Sequence, residues 1–218
     1  MTGNTIGWIH VQYLLTGAVW TVALSLLAFV GGGVAGLMVA LMRTSRSPTL
    51  RLLSGLYIQL IQGTPLLIVM FLAYFGLSVL GFNLHAIVAA GLSLTLYAAA
   101  YLGEIWRGAI ESVPRTQWEA ADTLGLNRSL ALALVIIPQA IRIATPPTVG
   151  FMVQIIKNTS IASIVGFADL TYSGKILNNS TAQPFLVYVI VGAIYFCLCY
   201  PLSRYSRALE RKMNVAHR

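Results

Sequence analysis

Three groups of polar side chains interrupt a sequence that is otherwise apolar over long stretches. In the first, Ser93, Tyr97, Tyr101, Glu104, Gly108 and Glu111 recur at three- and four-residue spacing, which places them on one helix face. Arg107 follows Glu104 by three residues and precedes Glu111 by four, so it is within reach of both carboxylates. In the second group, Gln154, Lys157 and Asn158 share a face and run into Thr159 and Ser160. The run Asn158-Thr159-Ser160 can bond its own backbone and loosen a helix there. In the third, Gln59, Gln62 and Gly63 share a face next to Thr64 and Pro65, and the proline removes one backbone donor. The chemistry on offer is recognition of a polar solute. Two roles fit each group. Glu104 either faces a translocation axis and engages a solute amino group, or is an interfacial carboxylate neutralised by Arg107. Lys157 either belongs to a broken helix that binds solute, or snorkels or pairs with a neighbouring helix. Gln62 and Thr64 either line a pathway or hold helices together and kink the span.

Covalent chemistry lacks its parts. His10, His85 and His217 sit singly, with no metal-ligand spacing, and no convergent catalytic set is visible. Cys197 and Cys199, two residues apart on a helix, face different ways, so neither a disulfide nor a metal pair is expected. The triplet Gly31 to Gly33 has no following Gly-Lys-Ser/Thr, so it is not a phosphate-binding loop, and close helix packing is its reading.

Composition decides what positions these groups. Hydrophobic residues make up 57% of the 218 and charged residues only 9%, with a mean hydropathy of +0.78. Soluble domains carry about 25% charged residues, so this chain cannot cover a water-facing surface. That excludes an ordinary soluble enzyme, a disordered tail and a nucleic-acid-binding module. A spanning helix needs about 20 mostly apolar residues, and five stretches qualify: about 14–42, 56–80, 84–106, 143–167 and 185–202. The expected fold is therefore an all-α, polytopic membrane protein, a single domain over 1–218. No Lys or Arg precedes Arg43, and the first stretch is too long for a cleavable signal peptide, so it is expected to stay in the mature protein. Polar groups at bilayer depth are costly, which makes each group above a functional candidate.

The +8 net charge is distributed unevenly. Arg43, Arg46 and Arg51 fall between the first two spans, Arg107, Arg115, Arg128 and Arg142 around the third loop, and Arg204, Arg207, Arg211, Lys212 and Arg218 in the tail. With five spans all three groups share one side, which the positive-inside rule makes cytoplasmic. The N-terminus is then outside and the C-terminus inside.

The loop between the third and fourth spans, 113–142, is too long and too apolar for a simple connector. Pro114 ends or kinks the preceding helix. From Thr116 the pattern predicts a short helix with Trp118, Ala121 and Leu124 on one side, Gly125 at its C-terminal cap, and Asn127 or Ser129 capping the next helix. Its polar face carries Glu119 and Asp122 rather than a lysine-rich lipid-binding surface, which favours a protein partner.

Glu119-Ala120-Ala121, three residues, Gly125, nine residues, then Val135-Ile136-Ile137-Pro138 resemble the EAA loop of bacterial ABC importer permeases. Val135 and Ile137 are conservative departures from the family's Ile and Leu. TGAVWTVALS in the first span, GTPLL at Gly63 to Leu67, YLGEIWRG at Tyr101 to Gly108 and PQAIR at Pro138 to Arg142 are similar to the polar amino-acid subfamily, the MetI-like type. So are KNTSIASIVG at Lys157 to Gly166 and the ending LSRYSRALER. Gln62 stands where these permeases usually carry Arg, which puts a local ion pair in doubt.

The resemblance implies a non-catalytic permease subunit of the bacterial inner membrane. Glu119, Ala120, Ala121, Gly125 and Pro138 would couple it to a separate ATPase, and Gln62, Thr64, Tyr101, Glu104, Lys157, Asn158, Thr159 and Ser160 are the pathway candidates. It further implies two ATPase subunits, a second permease subunit in a homodimer or heterodimer, and a solute-binding protein outside. No cofactor is expected on this chain; ATP and Mg belong to the partner ATPase. The rival readings are an ATP-independent secondary transporter or channel, and a membrane-embedded enzyme.

Overall fold

The computed structural model describes residues 6–215, and His217 and Arg218 of the tail lie outside the described residues. In chain order the helices are α1 (Trp8–Thr44), α2 (Pro48–Gly63), α3 (Leu66–Phe71) and α4 (Leu77–Val79), the last two joined by a π-helical turn over Leu72–Gly76. Then come α5 (Ala86–Glu111), α6 (Arg115–Thr123) and α7 (Arg128–Ala131). α7 runs through a second π-helical turn (Leu132–Ile136) into α8 (Ile137–Asn158) and a 3-10 stretch (Thr159–Val165). α9 (Leu170–Thr181) and α10 (Pro184–Val215) complete the chain, and no strand occurs among the described residues. The fold is all-α.

Four helical stretches are long and apolar enough to cross a bilayer: Trp8–Thr44, Ala86–Glu111, Arg128–Val165 and Pro184–Met213. The stretch expected as one span over 56–80 differs. Its helix begins at Pro48, with the Ser47 side chain accepting from the Leu50 N–H, and breaks after Gly63. Beyond the break the chain turns by 101°, so a fifth span exists only as the bent pair α2 with α3–α4. Pro65 is the physical reason for the break. It has no N–H to donate and pushes Thr64 into extended backbone at φ −110, ψ 131.

α5 is the central helix. Of its most apolar stretch 61% is buried, against 17–28% in the other three spans, so α5 is wrapped by protein while they keep one face for lipid. Small side chains allow this. Ala90, Ala98, Ala99 and Ala100 are buried on α5, and α1 brings Gly32 and Gly36 against them. A Cβ on Gly32 would overlap that of Ala98, and one on Gly103 would lie 2.8 Å from Val39. Between membrane helices, where no water is expelled, close van der Waals packing of this kind supplies the attraction. Leu24, Leu94, Leu102, Met70, Phe151 and Ile155 fill the main core around it. At the other end of α1, Asp169 caps α9 by accepting from the Tyr172 N–H at 2.8 Å, and Thr21 accepts from the Leu170 N–H at 3.1 Å.

Candidate functional site

Of the stretch 113–142, only α6 is a separate short helix; α7 is already the start of the continuous helical stretch Arg128–Val165, so the fourth apolar stretch begins well before the expected 143. Pro114 stands in extended backbone at the N-terminus of α6, after α5 has ended at Glu111. Ala121 is buried and Trp118 half-buried, and Trp118 packs on the small core that Ala109, Ile110, Val113 and Ile136 form between the base of α5 and the turn before α8. Glu119, Ala120 and Asp122 face outward. The turn after α6 is a Schellman motif: Gly125 N–H donates to the Asp122 carbonyl at 2.9 Å and Leu126 N–H to the Ala121 carbonyl at 3.1 Å. Gly125 takes φ +73, the left-handed conformation that glycine adopts without cost. Asn127 then caps α7, its side chain accepting from the Leu130 N–H at 3.0 Å.

One expected packing residue is elsewhere. Leu124 does not join Trp118 and Ala121 against the body but is 78% exposed. At the C-cap of α6 its backbone (φ −82, ψ 4) has left helical geometry, which swings the side chain off the buried face. An unpartnered leucine therefore stands beside Glu119 and Gly125 on the outward side.

The loop is tied to the spans by contacts with little local sequence signal. Gln139 of α8 donates from Nε2 to Gln117 Oε1 of α6 at 3.3 Å and to the Val135 carbonyl at 2.8 Å. The Arg128 guanidinium lies 5.2 Å from the centre of the Trp118 ring. Pro138 follows the π-helical turn at Leu132–Ile136, where the helix is locally widened. A proline in a regular helix would clash with the carbonyl four residues back, and the wider turn relieves that clash.

The polar helix faces are brought together only in part. Tyr101 stacks on Phe151 of α8 with centroids 5.4 Å apart, and Tyr97 stacks on Phe151 (6.1 Å) and lies tilted against Tyr101 (4.4 Å). Tyr97 also lies beside Asn158, whose Oδ1 accepts from Gln154 Nε2 at 3.3 Å. Tyr101 and Asn158 thus belong to one cluster, in which Phe151 and Tyr97 are the joining residues. Thr159 is fully buried and returns its hydroxyl to the Ile156 carbonyl at 2.8 Å, and Ser160 bonds the Lys157 carbonyl at 2.7 Å. These local bonds mark the point where α8 tightens into the 3-10 stretch.

Glu104 lies further along α5. Arg107 Nε donates to Glu104 Oε2 at 2.9 Å, and its remaining nitrogens pair with Glu104 and Glu111. Two carboxylates share the Arg107 guanidinium, and Arg43 adds positive charge near Glu104. Lys157 is exposed on α8, and the ion pairs found among the described residues are those of Arg107 alone. Gln62 is exposed and Thr64 half-buried at the bend after α2, and neither side chain makes a hydrogen bond among the described residues. The following residues Leu66 and Met70 do pack into the core that holds Phe151. Gln117, Gln139, Phe151 and the Trp106 indole, which donates to Thr148 Oγ1 at 3.0 Å, are the residues that spacing did not single out.

Comparison with known proteins bears on what such a loop and face belong to. The family described as binding-protein-dependent transport system inner membrane component matches residues 32–215. "Probable amino-acid ABC transporter permease protein YckA" of Bacillus subtilis (strain 168) is 34% identical over 92% of this chain and 88% of its own length. "L-cystine transport system permease protein TcyB" of the same organism is 33% identical over 97% of this chain and 93% of its own. A crystal structure of an amino acid ABC transporter with histidines superposes at a TM-score of 0.89 with 35% identity, covering 95% of this chain and 99% of that one. An inward-facing structure of the MetNI methionine ABC transporter shares the fold at a TM-score of 0.75 and 18% identity, covering 94% and 99%. With an EAA-type loop folded on Gly125 and a family match over most of its length, the chain belongs to the inner membrane components of binding-protein-dependent transport systems.

Proposed function

We propose that this chain is the membrane-spanning subunit of an ATP-driven importer that brings a polar amino acid across the bacterial inner membrane. The observation that carries the reading is the loop at 115–125. Glu119, Ala120, Leu124 and Gly125 project outward from a helix whose inner side is fixed to three elements, which suits a lever between a partner and the spans. The partner is a separate ATPase, which holds ATP and Mg²⁺; this chain does no covalent chemistry and carries no cofactor. The bent pair counts as the fifth span, so the N-terminus is outside and the C-terminus cytoplasmic. Five spans enclose little, and two permease subunits, alike or different, surround the pathway with two ATPases inside and a solute-binding protein outside.

Transport is by alternating access. ATP closes the ATPase pair, α6 follows, and the tie from Gln117 to Gln139 together with the small core around Ile110 passes the movement to α8 and α5. Glu119, Ala120, Ala121, Gly125 and Pro138 form the coupling element. Tyr101, Glu104, Lys157 and Asn158 mark the solute path, with Gln62 and Thr64 at its bent neighbour. Thr159 and Ser160 shape the break in α8 through its backbone. The Glu104 carboxylate suits a solute ammonium, and the unpaired Lys157 suits a carboxylate.

The test is purification of the chain in mild detergent from its native membrane, followed by reconstitution with whatever co-purifies. A P-loop ATPase in the complex and solute uptake that requires ATP are expected. Uptake by the chain alone, driven by a proton or sodium gradient, would replace this reading with a secondary transporter.

A further inference from the structure

A cavity of about 700 Å³ opens beside the loop, and its charge is one-sided. Arg43, Arg46, Arg51, Arg115 and Arg128 line it, with Glu111 as the single carboxylate. That carboxylate is already engaged by Arg107. The arginines come from three places far apart in the chain: the end of α1 and start of α2, the start of α6, and the start of α7. Two of them are held in place without any anion. Arg43 donates from Nη1 to the Arg51 carbonyl at 3.3 Å, and Arg128 rests on Trp118. Arg43 Nε is buried and has no hydrogen-bond partner, a donor without its acceptor.

Position narrows the ligand. Thr44 and Glu111, which end two of the spans, and Arg128, which begins a third, all line this cavity. It therefore lies at the shared end of three helices long and apolar enough to span, and in the orientation proposed above that end faces the cytoplasmic headgroups of the bilayer. We propose that this cavity binds a phosphate-bearing anion, the headgroup of an anionic phospholipid, and that the bound headgroup bridges the α1–α2 turn to the α6–α7 loop. Guanidinium forks match phosphate oxygens in pairs, and five of them in one half-open cavity far exceed what a zwitterionic headgroup would need. The side on which the lipid sits follows from the orientation proposed above. Whether a lipid is held there is a separate question from whether the chain transports amino acids.

The experiment uses the complex of this chain with its co-purifying ATPase, in nanodiscs of phosphatidylcholine with or without phosphatidylglycerol. Native mass spectrometry reads the phosphatidylglycerol kept by the chain after detergent washing, with no transport or hydrolysis required. Wild type should keep phosphatidylglycerol in preference to phosphatidylcholine. The double variant Arg46→Gln/Arg51→Gln, at two exposed side chains, should keep at least about fivefold less. Arg46→Lys/Arg51→Lys, which restores the charge, should recover retention and shows that the positions tolerate substitution. Arg142→Gln, on the same side but lining another cavity, should bind as wild type. Millimolar inorganic phosphate that fails to displace the lipid assigns the site to a headgroup; displacement assigns it to a soluble phosphate and retains the anion chemistry. Equal retention by the double Gln variant overturns the proposal. So does a variant that keeps its lipid and sheds the ATPase, because the arginines would then serve the protein partner.

Discussion

The turn at Gly125 allows a sharp test of the proposed coupling loop. A Cβ built on Gly125 meets nothing within 4 Å, so substitution there has no steric cost against the rest of the protein. The entire penalty is conformational. At φ +73 an L-residue with a Cβ loses about 1–2 kcal/mol relative to right-handed backbone. A turn that can leave the Schellman geometry by that margin loses its docking-competent form by a factor of roughly 5–30. Asparagine tolerates the left-handed region, alanine less well, and a β-branched residue least. The expected series for solute-stimulated ATP hydrolysis is Gly125→Asn within about twofold of wild type, Gly125→Ala about fivefold lower and Gly125→Val about 30-fold lower. The assay is the reconstituted complex with its solute-binding protein, with membrane insertion and elution profile measured in parallel. Both should be unchanged, since α6 buries Ala121 alone among its residues. Equal activity across the series would refute the requirement for left-handed backbone. An asparagine variant as weak as the valine variant would do the same.

Three other outcomes follow from the structure. Gly32→Ala places a methyl into Ala98 and should lower the melting temperature in detergent by an amount equivalent to about 1–3 kcal/mol, whereas Gly33→Ala, with its nearest neighbour 3.8 Å away, should be near neutral. Glu104→Gln leaves Arg107 paired with Glu111 and should raise the uptake KM about tenfold if the Glu104 carboxylate meets the solute, while an unchanged KM would make Glu104 purely structural. Asp169 is fully buried, and burial holds its carboxyl above the usual 3.8 despite the Tyr172 N–H and Tyr195 hydroxyl that donate to it. The fold therefore favours the protonated acid: stability is full below 3.8 and declines as pH rises through the elevated folded value. Asp169→Asn keeps an oxygen for the Tyr172 N–H and should flatten that decline in thermal melts, and a variant with an undiminished slope would show that another group titrates.

Much of this protein could be read before any coordinates. Hydropathy alone requires membrane helices, because a chain with 9% charge has no other way to satisfy its surface. The spacing from Glu119 through Gly125 to Pro138 identifies the loop, since a left-handed turn and a tolerated proline are local backbone requirements written in single residues. Local caps were legible for the same reason: Asn127 needs only the N–H three residues ahead.

What stayed hidden depends on residues distant in sequence. Pro65 announced a kink, but the 101° turn is set by how α3 packs into the core around Phe151 and Leu94. Leu124 followed the helix period on paper, yet the C-cap turned it outward because the helix ended one residue sooner. The stack of Tyr97, Tyr101 and Phe151 and the tie from Gln117 to Gln139 arise where helices cross, and no spacing along one helix encodes a crossing. The arginine cavity is the clearest case. Thr44 and Arg128 are 84 positions apart, and the Arg128 guanidinium reaches the Thr44 carbonyl only in the folded chain. Sequence determined that the chain is built of membrane-spanning helices and which loop turns on glycine, since both are properties of neighbouring residues. Tertiary structure decided which polar groups face one another, since that is fixed by packing between helices.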